Sequence, residues 1–142
     1  MEENNNLKLE NQLCFPLYAC SRKIIKKYKP LLDKYDLTYT QYITMMVLWE
    51  KKQINLKELG EALDLDSGTL TPVLKKLENK GYISRNRDKK DERNLFITIT
   101  NEGESLRKKV SEVPKKMAAC LNINQEEAAV LYKILYKILK EN

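Results

Sequence analysis

No histidine occurs anywhere in the 142 residues. The commonest metal ligand and the commonest general base are therefore missing together. Cysteine is sparse and odd in number, at Cys14, Cys20 and Cys120. Three scattered thiols suit neither a secreted disulfide framework nor a zinc site, so the expectation is no metal and no other cofactor. No apolar run approaches the ~18 residues of a membrane span, and the N-terminus has no apolar signal segment. The chain is expected in a reducing cytoplasm, without a membrane partner.

What is present is charge. Charged residues make up 32% of the chain and hydrophobic ones 42%, with a net charge of +6. That balance fits one folded domain spanning residues 1–142, with a core of its own. The basic excess favours an anionic partner, and it is concentrated in Arg22 to Lys29 and Lys75 to Arg93, whereas Glu2 to Glu10 is mildly acidic.

The most informative stretch runs from Asp66 to Gly81. Leu70, Val73, Leu74 and Leu77 fall at i, i+3, i+4 and i+7, one apolar helical stripe. Asp66 or Ser67 can cap its start and Gly81 can close its end. The opposite face carries Gly68, Pro72, Lys75 and Asn79, flanked by Thr69, Thr71 and Lys76. Short polar side chains suit base edges in a DNA major groove, and lysines suit phosphates. An ordinary solvated surface helix has the same periodicity, so the neighbours decide.

Upstream, Asn55 caps a short helix with Glu58 as capping-box partner, and Leu56, Leu59, Gly60 and Leu63 form its core stripe. Two short helices joined at Leu65-Asp66 make a helix-turn-helix whose second member reads DNA. Downstream, Ile83 to Arg87 and the β-branched run Leu95 to Thr100 predict two strands around a charged tip, Asp88 to Arg93. Such a hairpin is a wing, and Arg87, Lys89, Lys90 and Arg93 favour groove or phosphate contact over a merely solvated tip.

The remaining segments read as helices. The pattern from about Leu7 to Tyr28 is interrupted at Pro16, which predicts a kink or a helix that truly starts near Cys14. Pro30 and Asp33 mark a weakening before Asp36. Thr40 to Lys51 is a second helix with Tyr42, Met45, Met46 and Trp49 available for burial, and Ile54 begins a short extended piece. Asn101 to about Met117 is a helix broken or bent by Pro114, and Gln125 to Lys140 is a last helix with the stripe Ala128, Leu131, Leu135, Ile138 and Leu139. That stripe and the first helix are placed to bury against a second copy, giving a homodimer for a pseudo-palindromic double-stranded operator with half-sites about 10 base pairs apart. The expected fold is mainly α with a small β-hairpin wing. Residues of about 7–35 and 101–142 form the dimerisation helices, and about 38–100 the winged helix-turn-helix.

In this order of elements the chain resembles the MarR family of bacterial regulators over nearly its whole length. Asp91-Glu92-Arg93-Asn94-Leu95-Phe96 through Gly103 matches the family's Asp-x-Arg wing signature and the strand after it. Leu13-Cys14-Phe15, Tyr18-Ala19-Cys20-Ser21, Tyr28-Lys29-Pro30 and Leu65 to Pro72 are similar to the thiol-based branch typified by the organic hydroperoxide sensor OhrR. The resemblance implies a repressor whose Cys14 is oxidised by organic hydroperoxides. It implies a sensor pocket of Tyr18, Tyr28 and Tyr39, largely contributed across the dimer, and base-reading positions at Ser67, Thr69 and Thr71, with Arg93 entering the minor groove. Pro16 departs from the family pattern, which puts the helix entry beside Cys14 in question.

The chemistry of the residues agrees with that implication. A thiolate attacks a peroxide oxygen and becomes a sulfenic acid, which then condenses with a second thiol. Leu13, Phe15 and Leu17 supply apolar surroundings suited to an organic peroxide. Cys20 lies six residues on, ~9 Å of rise and ~240° of rotation along one helix, so it cannot bridge to Cys14; it reads as packing. Cys120, expected in the loop before the last helix, is the candidate resolving cysteine, since some sensors of this type use a second cysteine in roughly that region of the partner. Two rival readings stand beside this one: a MarR-type repressor controlled by a small phenolic or anionic ligand, and, from another class, a thiol peroxidase. No peroxidase motif surrounds Cys14, so the chain is not expected to be an enzyme.

Overall fold

In the computed structural model, residues 5–141 are described. After a 3-10 turn at Leu9–Asn11 the elements are α1 (Cys14–Asp33), α2 (Tyr39–Lys51), β1 (Gln53–Asn55), α3 (Leu56–Leu63), α4 (Ser67–Asn79), β2 (Ile83–Arg87), β3 (Leu95–Ile99), α5 (Asn101–Lys109), α6 (Val113–Cys120) and α7 (Gln125–Lys140). The winged helix-turn-helix is α3, α4 and the β2–β3 hairpin. The strand at Ile54 joins that hairpin, so the sheet has three antiparallel strands in the order β1-β3-β2, with Ile54 opposite Ile97 and Ser84 opposite Thr98.

Of the two expectations at Pro16, the second holds: α1 starts at Cys14, leaving Pro16 in the first turn, where a missing N–H costs nothing. Pro30 does not end the helix. α1 continues to Asp33, because the carbonyl that Pro30 leaves without a partner lies on a largely solvated helix. The chain then reverses at Asp36, whose φ is +53°. Thr38 and Gln41 form a reciprocal capping box that starts α2, and Asn55 caps α3 by accepting from the Glu58 amide at 2.8 Å. Tyr42, Met45, Leu48 and Trp49 face inward from α2, but Met46 is exposed, since it lies on the opposite side of that stripe.

The core sits between α2, α3, α4 and β3, where Met45, Leu48, Leu59, Leu70, Leu74, Leu77 and Ile97 are fully buried. Each such side chain contributes about 2 kcal/mol by leaving water. Gly103 brings α5 against this core. A Cβ there would stand 2.3 Å from the Tyr82 carbonyl oxygen, and the Gly103 carbonyl accepts the Trp49 indole N–H at 2.8 Å.

The helix expected from Asn101 to Met117 is two helices. The break falls at 110–112, where Val110 leaves helical geometry, and Pro114 occupies the first turn of α6. Proline there favours a helix start, not a bend. Cys120 is consequently the last residue of α6 and not part of a loop. α7 is capped by Asn124, which forms a capping box with Glu127, and it buries none of its side chains in one chain.

Candidate nucleic-acid interface and thiol site

The reading helix α4 is set by its two ends. Asp66 accepts from the Thr69 amide at 2.7 Å, and the Thr69 amide and hydroxyl hold the Asp66 carboxyl below the usual carboxylate range. At the other end Gly81 takes φ +84°, while the Gly81 and Tyr82 amides bond back to the Glu78 and Leu77 carbonyls, a Schellman closure. Between them Leu70, Leu74 and Leu77 are buried, and Ser67, Gly68, Thr69, Thr71, Pro72, Lys75 and Lys76 are all exposed on the other side. Thr71 is partly engaged already, since its hydroxyl donates to the Ser67 carbonyl at 2.7 Å.

The wing stands beside this face. Arg87, Lys89, Lys90 and Arg93 are exposed. Arg87 Nη1 donates to the Glu92 carbonyl at 2.8 Å and so braces the tip. Asp91 Oδ1 accepts from the Arg93 amide at 3.1 Å and from Arg93 Nε at 3.2 Å, which orders an arginine that is otherwise 92% exposed. The wing root is tied to α4 by Arg85, whose Nη2 donates to Glu78 Oε1 at 3.0 Å. Neither Glu78 nor Arg85 stands out in the sequence. Their role comes from the β2–α4 packing, which no local pattern reveals.

The residues expected around the thiol fall into two groups. Cys14, Phe15 and Tyr18 lie at the start of α1, all exposed, with the Arg22 guanidinium 5.5 Å over the Tyr18 ring. Tyr28 lies ~21 Å further along the same helix. It packs on Tyr39 with ring centroids 4.8 Å apart, and on Tyr42 at 5.9 Å. Burial, with each other's proximity second for Tyr28, pushes the Tyr28 and Tyr39 hydroxyls above the usual phenol range, so both remain hydrogen-bond donors at neutral pH. One chain therefore cannot bring Tyr28 or Tyr39 to its own Cys14.

Between α1 and α7 runs an apolar groove of about 480 Å³, lined by Leu13, Leu17, Cys20, Ile24, Leu131 and Leu135 among others. Cys20, read from the sequence as packing, is exposed in one chain and lines this groove instead, because α7 does not cover it. Cys120 is exposed as well. Its carbonyl accepts Lys27 Nζ at 2.9 Å. Lys27 is ~20 Å along α1 from Cys14, and a lysine side chain spans too little of that to bring the two sulfurs of one chain within disulfide reach. Among the described residues no cluster of side chains able to hold a metal ion is present, and no helix is long and apolar enough to cross a membrane.

Residues 26–113 match the family model for the transcriptional regulators SarA/Rot. Over 136 residues the chain is 45% identical to the organic hydroperoxide resistance transcriptional regulator of Bacillus subtilis strain 168, covering 96% of this chain and 92% of that protein. It is likewise 45% identical over 137 residues to the regulator SarZ of Staphylococcus aureus, covering 96% and 93%. Among solved structures it is similar to AbfR of Staphylococcus epidermidis. Reduced AbfR bound to DNA superposes with a TM-score of 0.80 at 36% identity, covering 98% of this chain and 96% of that one. The disulfide-formed AbfR gives a TM-score of 0.68 at 34% identity, covering 98% of each.

Proposed function

Because the chain belongs to the SarA/Rot family of transcriptional regulators, with a MarR-type winged helix-turn-helix, we propose that it is a homodimeric repressor that releases its operator when organic hydroperoxides oxidise Cys14. Residues of about 38–100 bind DNA, through Ser67, Gly68, Thr69, Thr71, Pro72, Lys75 and Lys76 in the major groove and through Lys89, Lys90 and Arg93 at the wing, whose tip Arg87 braces on the Glu92 carbonyl. Residues of about 7–35 and 101–142 join two chains. A DNA partner puts the protein in the cytoplasm, and it works as a regulator, not an enzyme.

One observation carries the thiol part of this reading: Cys14 and Tyr28 lie on one continuous helix, ~21 Å apart along it. A pocket that places Tyr28 and Tyr39 hydroxyls on the Cys14 sulfur has to be built from two chains, so the dimer interface and the sensor are the same surface. The uncovered apolar faces of α1 and α7, with Leu13, Leu17, Leu131 and Leu139 exposed, support that interface. The likeness of the chain to DNA-bound reduced AbfR supports taking the described conformation as the DNA-binding one.

Cys14 thiolate attacks one peroxide oxygen, the O–O bond breaks, and the hydroperoxide leaves as an alcohol while Cys14 becomes a sulfenic acid. Cys120 of the partner subunit then bonds to the Cys14 sulfur, and the sulfenic oxygen departs as water. A bridge at the interface repacks α1 and α7 and shifts the spacing of the two α4 helices, so both can no longer sit in successive grooves. The test is mass spectrometry after one equivalent of cumene hydroperoxide in the presence of dimedone. The reading expects the adduct on Cys14. An unmodified Cys14 with the oxidation elsewhere contradicts it. Steady peroxide turnover with a thiol reductant would instead support a peroxidase.

A further inference from the structure

We infer that Lys27 and Tyr35 clamp α6 along α1 and thereby fix the place from which Cys120 acts, which makes them positioning residues of the thiol switch. The inference rests on the reading of Cys120 as the thiol that closes the interchain disulfide.

α6 is held at both ends by α1 and its following turn. At its start stands Glu112, whose carboxylate caps no backbone amide of its own helix. It turns outward instead and accepts the Tyr35 hydroxyl at 2.8 Å, with Lys116 at 3.2 Å. At its end the Cys120 carbonyl is one of the four that a helix leaves without an internal partner, and Lys27 Nζ donates to it at 2.9 Å. A cation there also meets the negative end of the helix dipole. The two contacts join residues 77 and 93 positions apart in the chain. They also define the direction: α6 starts beside the end of α1 and runs back along it. Eight residues of α6 span ~12 Å, close to the stretch of α1 from Lys27 to the turn at Tyr35.

Between the clamped ends Val113 and Met117 are buried in the core. Cys120 continues their helical stripe at i+7 past the edge of the core, where it is exposed. The sulfur is thus carried on a short helix that can neither roll nor fray while the clamp holds. Because the clamp ties it to α1, which also carries Cys14, the two thiols of one chain ride on a single rigid body. The distance that matters, from Cys14 of one chain to Cys120 of the other, is then set by how two such bodies pack. Fixing one reactant in this way raises its effective concentration at the other. Without Lys27 the last turn of α6 frays and the thiol samples a wider volume.

The test uses the full-length dimer and cumene hydroperoxide, with two rates followed: dimedone trapping at Cys14 and appearance of the interchain band on non-reducing gels. Lys27→Met is expected to leave sulfenic acid formation at the wild-type rate and to slow bridging roughly fivefold, the size expected of one lost hydrogen bond. Tyr35→Phe, which keeps the ring, slows bridging in the same direction, and Lys27→Arg restores it. Thermal unfolding shows whether each variant folds, and if Lys27→Met does not, Tyr35→Phe carries the test. Wild-type bridging rates in the folded variants, in a protein whose Cys120→Ser form makes no bridge, overturn the clamp. A bridge that persists in Cys120→Ser overturns the reading of Cys120 beneath it.

Discussion

Arg85 on β2 donates to Glu78 on α4 across 3.0 Å, so the wing root and the reading helix are joined by an ion pair. Arg85 Nε is buried without a partner, which leaves Glu78 as the group that compensates the guanidinium. Arg85 in turn holds the Glu78 carboxyl below the usual carboxylate range. A carboxyl depressed in the folded state stabilises above its unfolded pKa of about 4.3, and that contribution is lost as pH falls through the lower folded value. Glu78→Gln is therefore expected to destabilise at pH 7 by at most about 1 kcal/mol, once solvent screening of this partly exposed pair is counted. The difference from wild type should shrink toward zero in chemical denaturation below pH 4. A difference that stays constant between pH 7 and pH 3 contradicts the assignment.

The two wing arginines should separate by salt dependence. Arg93 is exposed and aimed by Asp91, so Arg93→Ala should weaken operator binding and lower the slope of log affinity against log salt by about 1. Arg87 is spent on the Glu92 carbonyl. Arg87→Ala should weaken binding through a disordered tip and leave the slope nearly unchanged. Titrations between 50 and 200 mM salt, the range over which phosphate contacts show, distinguish the two. Equal slopes for both variants would refute the division.

Lys80 looks from its neighbours like one more cation for DNA, but it points inward. Its ammonium donates to the Asp36 carbonyl and, at 3.2 Å, to Gln41 Oε1. It ties the end of α4 to the α1–α2 turn. Lys80→Met should reduce DNA affinity by loosening the reading helix while preserving the salt slope, whereas Lys75→Ala or Lys76→Ala should lower the slope. A reduced slope for Lys80→Met would place that ammonium on phosphate.

Gly103→Ala tests the packing of α5 on the core. The added methyl meets the Tyr82 carbonyl oxygen at 2.3 Å and Ile99 Cγ1 at 2.8 Å. Backbone must move to admit it, at a cost of about 2 kcal/mol and a melting temperature lower by roughly 5–8 °C. An unchanged melting temperature would mean that α5 is free to shift.

The parts of the fold that follow a single period were legible in the sequence. α4, α7 and the wing strands come straight from spacing and caps, because a buried stripe and a polar cap leave local signatures. Asn55 caps α3, and of the two candidates Asp66 and Ser67 it is Asp66 that caps α4. The breaks were harder. Pro114 suggests a break at itself, yet the chain turns three residues earlier and uses proline to start the next helix. Pro30 and Asp33 mark a weakening, and α1 runs through Pro30 to end at Asp33. A break at Pro114 leaves Cys120 in a loop, whereas a helix that starts there carries Cys120 as its last residue. The thiol site was legible only as a set of residue types. That Cys14 and Tyr28 cannot meet within one chain follows from α1 being continuous, and the clamp at Lys27 and Tyr35 follows from packing between segments far apart in sequence.

Control of DNA binding by oxidation of Cys14 is measured by fluorescence anisotropy. The probe is a labelled duplex from the promoter beside the protein's own gene, titrated before and after cumene hydroperoxide, with wild type and Cys14→Ser compared. Wild type should lose at least about tenfold in affinity on oxidation, ~1.4 kcal/mol, and recover it with dithiothreitol, while Cys14→Ser binds like reduced wild type under both conditions. A Cys14→Ser protein that releases DNA on oxidation as fully as wild type would show that the switch does not run through Cys14.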